Sequence, residues 1–339
     1  MLVLVALTIW RFYFAPPPPR VVAITGETMG TTYTVKFVAD TRDEQSDETR
    51  AELEATIDAQ LEAVNSAMST YKPDSELSRF NAGPGNVDVT LSAAMAEVVT
   101  VALEVGTLSN GALDVTVGPL VDRWGFGAKG ELSAVPTQGE LDALKSRLGH
   151  DHLSFDAGAS TLRKDADGLA VDLSAVAKGY AVDQVSAALH EAGFSDHMVE
   201  VGGEVRVSGQ TEAKRAWRLA IEKPTEEQRS IYEVVALGDQ GMATSGDYRN
   251  FTVIDGRRYS HTIDPVTGAP ITHDLASVTV VADTCARADA LATALNVLGP
   301  QKGPALAEAQ GIAALFLVKT QDGVEAIATE AFEPLRQKR

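Results

Sequence analysis

The chain is predicted to be an α+β protein, a mostly antiparallel sheet with helices packed against it. Three observations predict this. Strand-like and helix-like segments come in runs rather than in strict alternation. Several strand-like stretches, "MVEVGGEVRVSG", "WRLAIEK", "IYEVVAL" and "ASVTVVA", are separated by hairpin-length connections, which join antiparallel neighbours. The signatures of parallel nucleotide-binding sheets are missing: there is no G-x-G-x-x-G after a strand and no G-x-x-x-x-G-K-[ST]. H-E-x-x-H and G-x-S-x-G are missing too.

Residues 1–14 are apolar apart from Arg11 and run into the prolines at 16–19, which form a stiff spacer. We expect residues 1–20 to be an anchor or signal-like segment and residues 21–339 to be one large domain. Fourteen residues are shorter than the roughly 20 of a membrane-spanning helix, and no basic n-region precedes them. Whether the segment is retained or cleaved stays open, and the domain is expected outside the cytoplasm.

After the spacer, "VVAITGETMGTTYTVKFVA" sets Tyr33, Val35 and Phe37 against Thr34 and Lys36, the period of a half-buried strand. The acidic stretch that follows reads as the solvated face of a helix whose inner face is Leu53, Ile57, Leu61, Val64 and Met68. "STYKPDSELSRFN" is expected to be a loop broken by Pro73. Met95, Val98, Val99, Ala102 and Leu103 mark a second helix, closed by Asn110-Gly111. Short strands occupy 150–173, with "KDADG" as a hairpin tip. A third helix carries Ala181, Val185, Ala188 and Leu189 on one face and ends before Gly193. A last helix covers 284–298, and no internal repeat is evident.

With 47 acidic against 29 basic residues, the net charge of -18 argues against non-specific nucleic-acid binding, which needs clustered cations. Cys285 is the single cysteine, so an intramolecular disulfide and a thiolate metal cluster are both excluded. His150 and His152 have H-x-H spacing beside an apolar strand, where surface or satisfied polar roles are commoner than metal binding.

Three stretches carry chemistry. In "VDLSAVAKGYAVD" an acid, Asp172, ends a strand and a helix begins, offering free N–H groups and a positive dipole end suited to phosphates. Asp172 reads either as a plain cap or as a ligand-orienting group, Lys178 as a solvated side chain or a phosphate partner. Gly179 allows close approach of a ligand or strand. In "ARADALATALNVLG", Asp289 and Thr293 lie four apart on the side opposite Ala288, Leu291, Leu295 and Leu298. A carboxylate and a hydroxyl so placed suit Mg²⁺, although on spacing alone a solvent-facing polar stripe is commoner. "GMATSGDYRNFTVIDGRRYSHTIDPVTGAP" ends in a turn beside His261, either a general base or a structural histidine.

These blocks, in order "GETMGTTY", "STYKPDSELSRFN", "GALDVTVGPLVDRWGFG", "VDLSAVAKGYAVD", "VEVGGEVRVSG", "ATSGDYRNF", "SHTIDPVTGAP" and "ADALATALNVLG", resemble the FAD:protein FMN transferase (ApbE, thiamine biosynthesis lipoprotein) family from about residue 25 to 320. The resemblance implies an ApbE-like, T-fold-like architecture of two intertwined lobes. It implies an Mg²⁺-dependent enzyme that moves the FMN half of FAD onto a Thr or Ser hydroxyl of a target flavoprotein, a subunit of a membrane redox complex, and releases AMP. It places Met29, Tyr71, Ala112, Leu113, Asp114, Asp172, Lys178 and the Ile263 backbone against FAD, with Tyr71 stacking on the flavin. It places the Ala175 carbonyl, Asp289 and Thr293 around Mg²⁺, and gives His261 and Asp289 catalytic roles. Two departures stand out: no lipobox cysteine is present, so an apolar anchor in the inner membrane with the domain facing the periplasm is expected instead, and Ala292 replaces a second aspartate found in some members. An FAD pyrophosphatase giving FMN and AMP, or a non-catalytic flavin-binding protein, are the alternatives.

Overall fold

A computed structural model describes residues 17–128, 132, 134–224, 230–246, 251–254 and 256–337. The expected anchor at 1–14 lies outside the described residues, as do positions 247–250 of the "ATSGDYRNF" block. No helix among the described residues is long and apolar enough to cross a membrane.

The strands in chain order are β1 (Arg20–Thr28), β2 (Thr31–Ala39), β3 (Val89–Thr90), β4 (Leu153–Asp156), β5 (Thr161–Lys164), β6 (His197–Val201), β7 (Glu204–Ser208), β8 (Trp217–Glu222), β9 (Ile231–Leu237), β10 (Gln240–Gly246), β11 (Phe251–Ile254), β12 (Arg257–Ser260), β13 (Ile263–Asp264), β14 (Ala269–Pro270), β15 (Leu275–Ala282), β16 (Ala313–Thr320) and β17 (Gly323–Ala328). The α-helices are α1 (Asp47–Met68), α2 (Glu76–Ala82), α3 (Ala93–Leu108), α4 (Gly118–Arg123), α5 (Gln138–Lys145), α6 (Ser174–Glu191) and α7 (Cys285–Ala309).

The chain is α+β, as expected. Eight strands form one sheet in the order β1-β2-β6-β7-β10-β15-β16-β17, and every neighbouring pair is antiparallel. Each half of the sheet consists of two strands, a helix (α6 or α7) and two more strands. This tandem arrangement has no counterpart in residue-level similarity, which is why no repeat shows in the sequence.

The period-two pattern sorts side chains to the two faces. Val35, Phe37, Val199, Val278, Val280 and Phe316 point into the main core beneath the helices. Val207, Val281, Leu315 and Leu317 meet Trp217, Leu219, Leu237 and Phe332 in a second core, under the β8–β9 hairpin. A third cluster gathers Leu120, Trp124, Leu141 and Ile263. The helix α1 buries Leu53, Ile57, Leu61, Val64 and Met68, and Ser46 caps it by accepting from the Thr49 N–H.

Four local expectations are corrected. The stretch after α1 is not all loop: Ser75 accepts from the Ser78 N–H and starts α2. "KDADG" begins at Lys164, the last residue of β5, and is no hairpin tip; the β4–β5 tip is residues 157–160, where Asp156 Oδ1 accepts from the N–H groups of Gly158 and Ala159. The residues before α6 are in no ladder. Instead the Asn81 side chain exchanges two hydrogen bonds with the Val171 backbone, at 2.8 and 2.7 Å, as a strand partner would. The last helix continues beyond residue 298, bent at Gly299, whose φ of 74° is left-handed.

Helices α6 and α7 cross at very short range. A Cβ on Gly179 would lie 2.4 Å from the Cys285 carbonyl oxygen, and one on Gly241 2.4 Å from the Cys285 nitrogen. The close approach foreseen for Gly179 is thus to the first residue of another helix, not to a ligand or strand. The Asp183 carboxylate accepts from the N–H groups of Cys285 and Ala286, both at 2.9 Å, and from Arg206 at 3.1 Å. Gly179→Ala is therefore expected to destabilise by about 1–3 kcal/mol through overpacking. At an ordinary helical site the same change gains up to about 1 kcal/mol. The midpoint of urea unfolding distinguishes the two signs.

Candidate functional site

A cavity of about 450 Å³ lies where the start of α6 and one face of α7 meet the seam between the halves of the sheet. One rim is made by two hairpin turns. Met29 (φ 49°) and Gly30 (φ 72°) join β1 to β2, and Gly202 (φ 62°) and Gly203 (φ 107°) join β6 to β7. Positive φ at both central residues matches the twist of a right-handed ribbon. Met29 is the unusual member, because a side chain rarely adopts this conformation away from a site that requires it.

Helix α6 supplies Ser174, Ala175 and Lys178, and α7 supplies Asp289, Thr293 and Val297 at every fourth position. The pair Asp289 and Thr293 faces this cavity rather than bulk solvent. Asp172 Oδ1 accepts from the Ser174 N–H at 2.8 Å, so it tightens the start of α6 while also lining the cavity. Asp289 Oδ2 accepts from the Gly179 N–H at 3.1 Å. The regular helical acceptor for that N–H is the Ala175 carbonyl, which thus shares its donor with Asp289.

Lys178 Nζ donates to Glu204 Oε1 at 2.5 Å and lies 4.0 Å from Asp289 Oδ2. Burial pushes the Asp289 carboxyl up to about 7, against the pull of the Lys178 ammonium and with the push of the Glu204 carboxylate. Burial works against the Lys178 charge, but Asp289 and Glu204 outweigh it and raise the lysine above its ordinary value. Glu204 is 4% exposed, and its Oε2 is buried without a hydrogen-bond partner.

The opposite wall holds Ala112, Leu113 and Asp114, whose Oδ1 accepts from the backbone N–H and hydroxyl of Thr116. Thr244, Ser245, His261, Thr262 and Ile263 complete it. The buried Asn296 amide spans from α7 to Ser245 Oγ at 3.2 Å and Thr262 Oγ1 at 3.4 Å. The His261 ring packs edge-on against Phe126, centroids 6.5 Å apart, and the Phe126 carbonyl accepts from the Tyr71 hydroxyl at 3.4 Å.

Of the residues that the resemblance assigns to the site, the structure brings all but Tyr71 to the cavity wall. Tyr71 is 70% exposed and joins the site only through Phe126. Glu204, Ser245 and Thr262 were missed as site residues, as was Asp183 as the cap of α7. Glu204 follows two glycines at a strand start, where an acid reads as part of the hairpin. His152, set aside on sequence, bonds Asp165 at 2.7 Å. Among the described residues no group of three or more His, Cys, Asp or Glu side chains could hold a metal. An ion in the cavity would need neutral oxygens as well.

Fold and cavity together define a class: an α+β chain with a polar cavity between the start of α6, one face of α7 and the seam of a two-unit sheet. A profile of the ApbE family matches residues 29–316. The FAD:protein FMN transferase of Vibrio cholerae serotype O1 is 46% identical over 321 residues, 95% of this chain and 94% of that relative. The FAD:protein FMN transferase of Escherichia coli K12 is 41% identical over 285 residues, 84% and 81% of the two chains. Among solved structures, the flavin transferase ApbE from Vibrio cholerae matches with a TM-score of 0.85, covering 94% of this chain and 100% of its own. The ApbE protein of Thermotoga maritima, 27% identical, matches with a TM-score of 0.81 over 94% and 100%. The chain belongs to the ApbE family.

The Asp289 environment sets a pH dependence. Its carboxyl binds its proton more tightly folded than unfolded, so the folded state holds more protons between about pH 4 and 7. This contribution to stability is present at the acidic end and is lost as pH rises through that window. Asp289→Asn, which keeps an acceptor for the Gly179 N–H, is expected to gain melting temperature relative to the parent as pH rises from 4 to 8 without divalent ions. A difference that stays flat across that range would refute the assignment.

Proposed function

We propose that this chain is an FAD:protein FMN transferase, moving the FMN half of FAD onto a Thr or Ser hydroxyl of a target flavoprotein through a phosphodiester bond and releasing AMP. One observation carries the reading. Asp289 and Thr293 share a cavity with Lys178, Asp172 and the start of α6, groups suited to a diphosphate ligand and its counter-cation. Family membership and the names of the relatives support it.

The residues present fit Mg²⁺. Asp289 and Thr293 offer hard oxygens, the Ala175 carbonyl has a shared helical donor, and the buried Asp289 carboxylate gains from a nearby cation. Such an ion supplies positive charge against the diphosphate and the leaving AMP. The Lys178 ammonium, held by Glu204 at the cavity wall, adds positive charge on the same side. His261, backed by Phe126, takes the proton from the incoming hydroxyl. Leu113, Val117, Val121, Pro265 and Val297 form apolar wall that limits water, and Tyr71 offers a ring at the approach for the flavin. Residues 1–20 tether the domain to the inner membrane on its periplasmic side, beside a target that is a subunit of a membrane redox complex.

Incubation with FAD, Mg²⁺ and a candidate target is expected to give a fluorescent protein band, with His261→Ala lowering its rate by about 10²–10⁴ while FAD binding persists. Soluble FMN and AMP made without an acceptor would point to an FAD pyrophosphatase instead. Persistently intact bound FAD in Mg²⁺ would leave only a flavin-binding protein.

A further inference from the structure

Glu204 and Asp289 compete for one ammonium. Lys178 Nζ is 2.5 Å from Glu204 Oε1 and 4.0 Å from Asp289 Oδ2, so Glu204 holds it. The three residues come from different elements, β7, α6 and α7, and each is fixed by its backbone. Glu204 begins β7 directly after the Gly202–Gly203 turn and pairs with Val201 across it. That turn has little freedom, because a Cβ on Gly202 would lie 3.0 Å from Thr31 Cγ2. The Glu204 and Asp289 side chains are only 6% and 7% exposed. Two buried carboxylates with one ammonium leave surplus negative charge, which is costly unless a second cation joins them.

We propose that Glu204 is a positioning residue that draws the Lys178 ammonium away from Asp289 and so keeps Asp289 open to a divalent cation. The proposal rests on the metal reading of Asp289 and Thr293 given above. Without the Glu204 charge, Asp289 is the remaining carboxylate beside Lys178, and the flexible four-carbon stem allows the ammonium to close on it. The closed pair occupies carboxylate oxygen and sets a positive charge beside the ion's place. A plain through-space effect of Glu204 would instead act whether or not Lys178 is charged.

The test is a double-mutant cycle on Mn²⁺ binding, followed by electron paramagnetic resonance of the free ion titrated with the intact chain without nucleotide. The variants are Glu204→Gln, Lys178→Met and the double mutant, each checked by thermal melting. Glu204→Gln is expected to weaken Mn²⁺ binding about tenfold when Lys178 is present and about twofold or less in the Lys178→Met background. Equal losses in both backgrounds, or no loss in Glu204→Gln, would overturn the proposal. Should Glu204→Gln unfold, Glu204→Asp keeps the charge but withdraws it by one methylene, and a smaller loss with the same dependence on Lys178 is expected. A parent chain that binds no Mn²⁺ defeats the metal reading itself, an outcome distinct from equal losses in a chain that binds it.

Discussion

The site depends on how closely α6 and α7 cross. Gly179 and Gly241 leave room for Cys285 where any side chain would collide with backbone, and the Asp183 carboxylate takes up the two N–H groups that begin α7. Those N–H groups have no helical acceptor of their own, and burying them unpaired would be costly. Once the crossing is made, Asp289, one turn further on, reaches the Gly179 N–H. The start of α6 faces the cavity with Ser174 and Ala175 in its wall, whereas α7 enters it from its second turn onward, through Asp289, Thr293 and Val297, its own first N–H groups being taken up by Asp183.

The side chains create the opposite problem. Among the described residues, Asp114, Asp172, Glu204 and Asp289 line the cavity against Lys178, in a chain whose net charge is -18. Thr116 satisfies part of Asp114, the Ser174 N–H part of Asp172 and Lys178 part of Glu204. Asp289 receives one backbone N–H and a distant ammonium, and burial, with the Glu204 charge, raises its proton affinity against both. A diphosphate would add to the negative charge. The start of α6 and Lys178 would offset part of it, and the divalent cation of the proposed function would offset more.

How far this could be foreseen varied with the physical signal. Long amphipathic segments such as α1 were legible, because five buried side chains at helical spacing have no other comparable solution. The hairpin turn at Met29–Gly30 was not, since methionine seldom takes a positive φ and "TMGT" lacks the Asn-Gly pair that announces such turns. The short helix α2 hid behind Pro73, and with it Asn81, whose amide stands in for a strand beside Val171. Asp289 and Thr293 could be placed on one helical face, but which way that face looked is a tertiary fact. Residue blocks in order identified the family where spacing left the polar stripe open, while Tyr71, matched by the same blocks, stands outside the cavity wall.

The location of the cavity follows from a mismatch in strand length. Strands β7 and β10 pair over three residues, Gln240 to Met242 against Val207 to Val205. On its other side β10 continues to pair with β15 as far as Gly246. β10 therefore outruns β7, and Thr244, Ser245 and Gly246 present a flank with no ladder partner on the β7 side. An edge of this kind would ordinarily invite another strand. Here the β6–β7 turn, the start of α6, one face of α7 and the loop carrying His261 surround it instead. Because both halves of the sheet contribute to the gap, neither half alone could form the pocket.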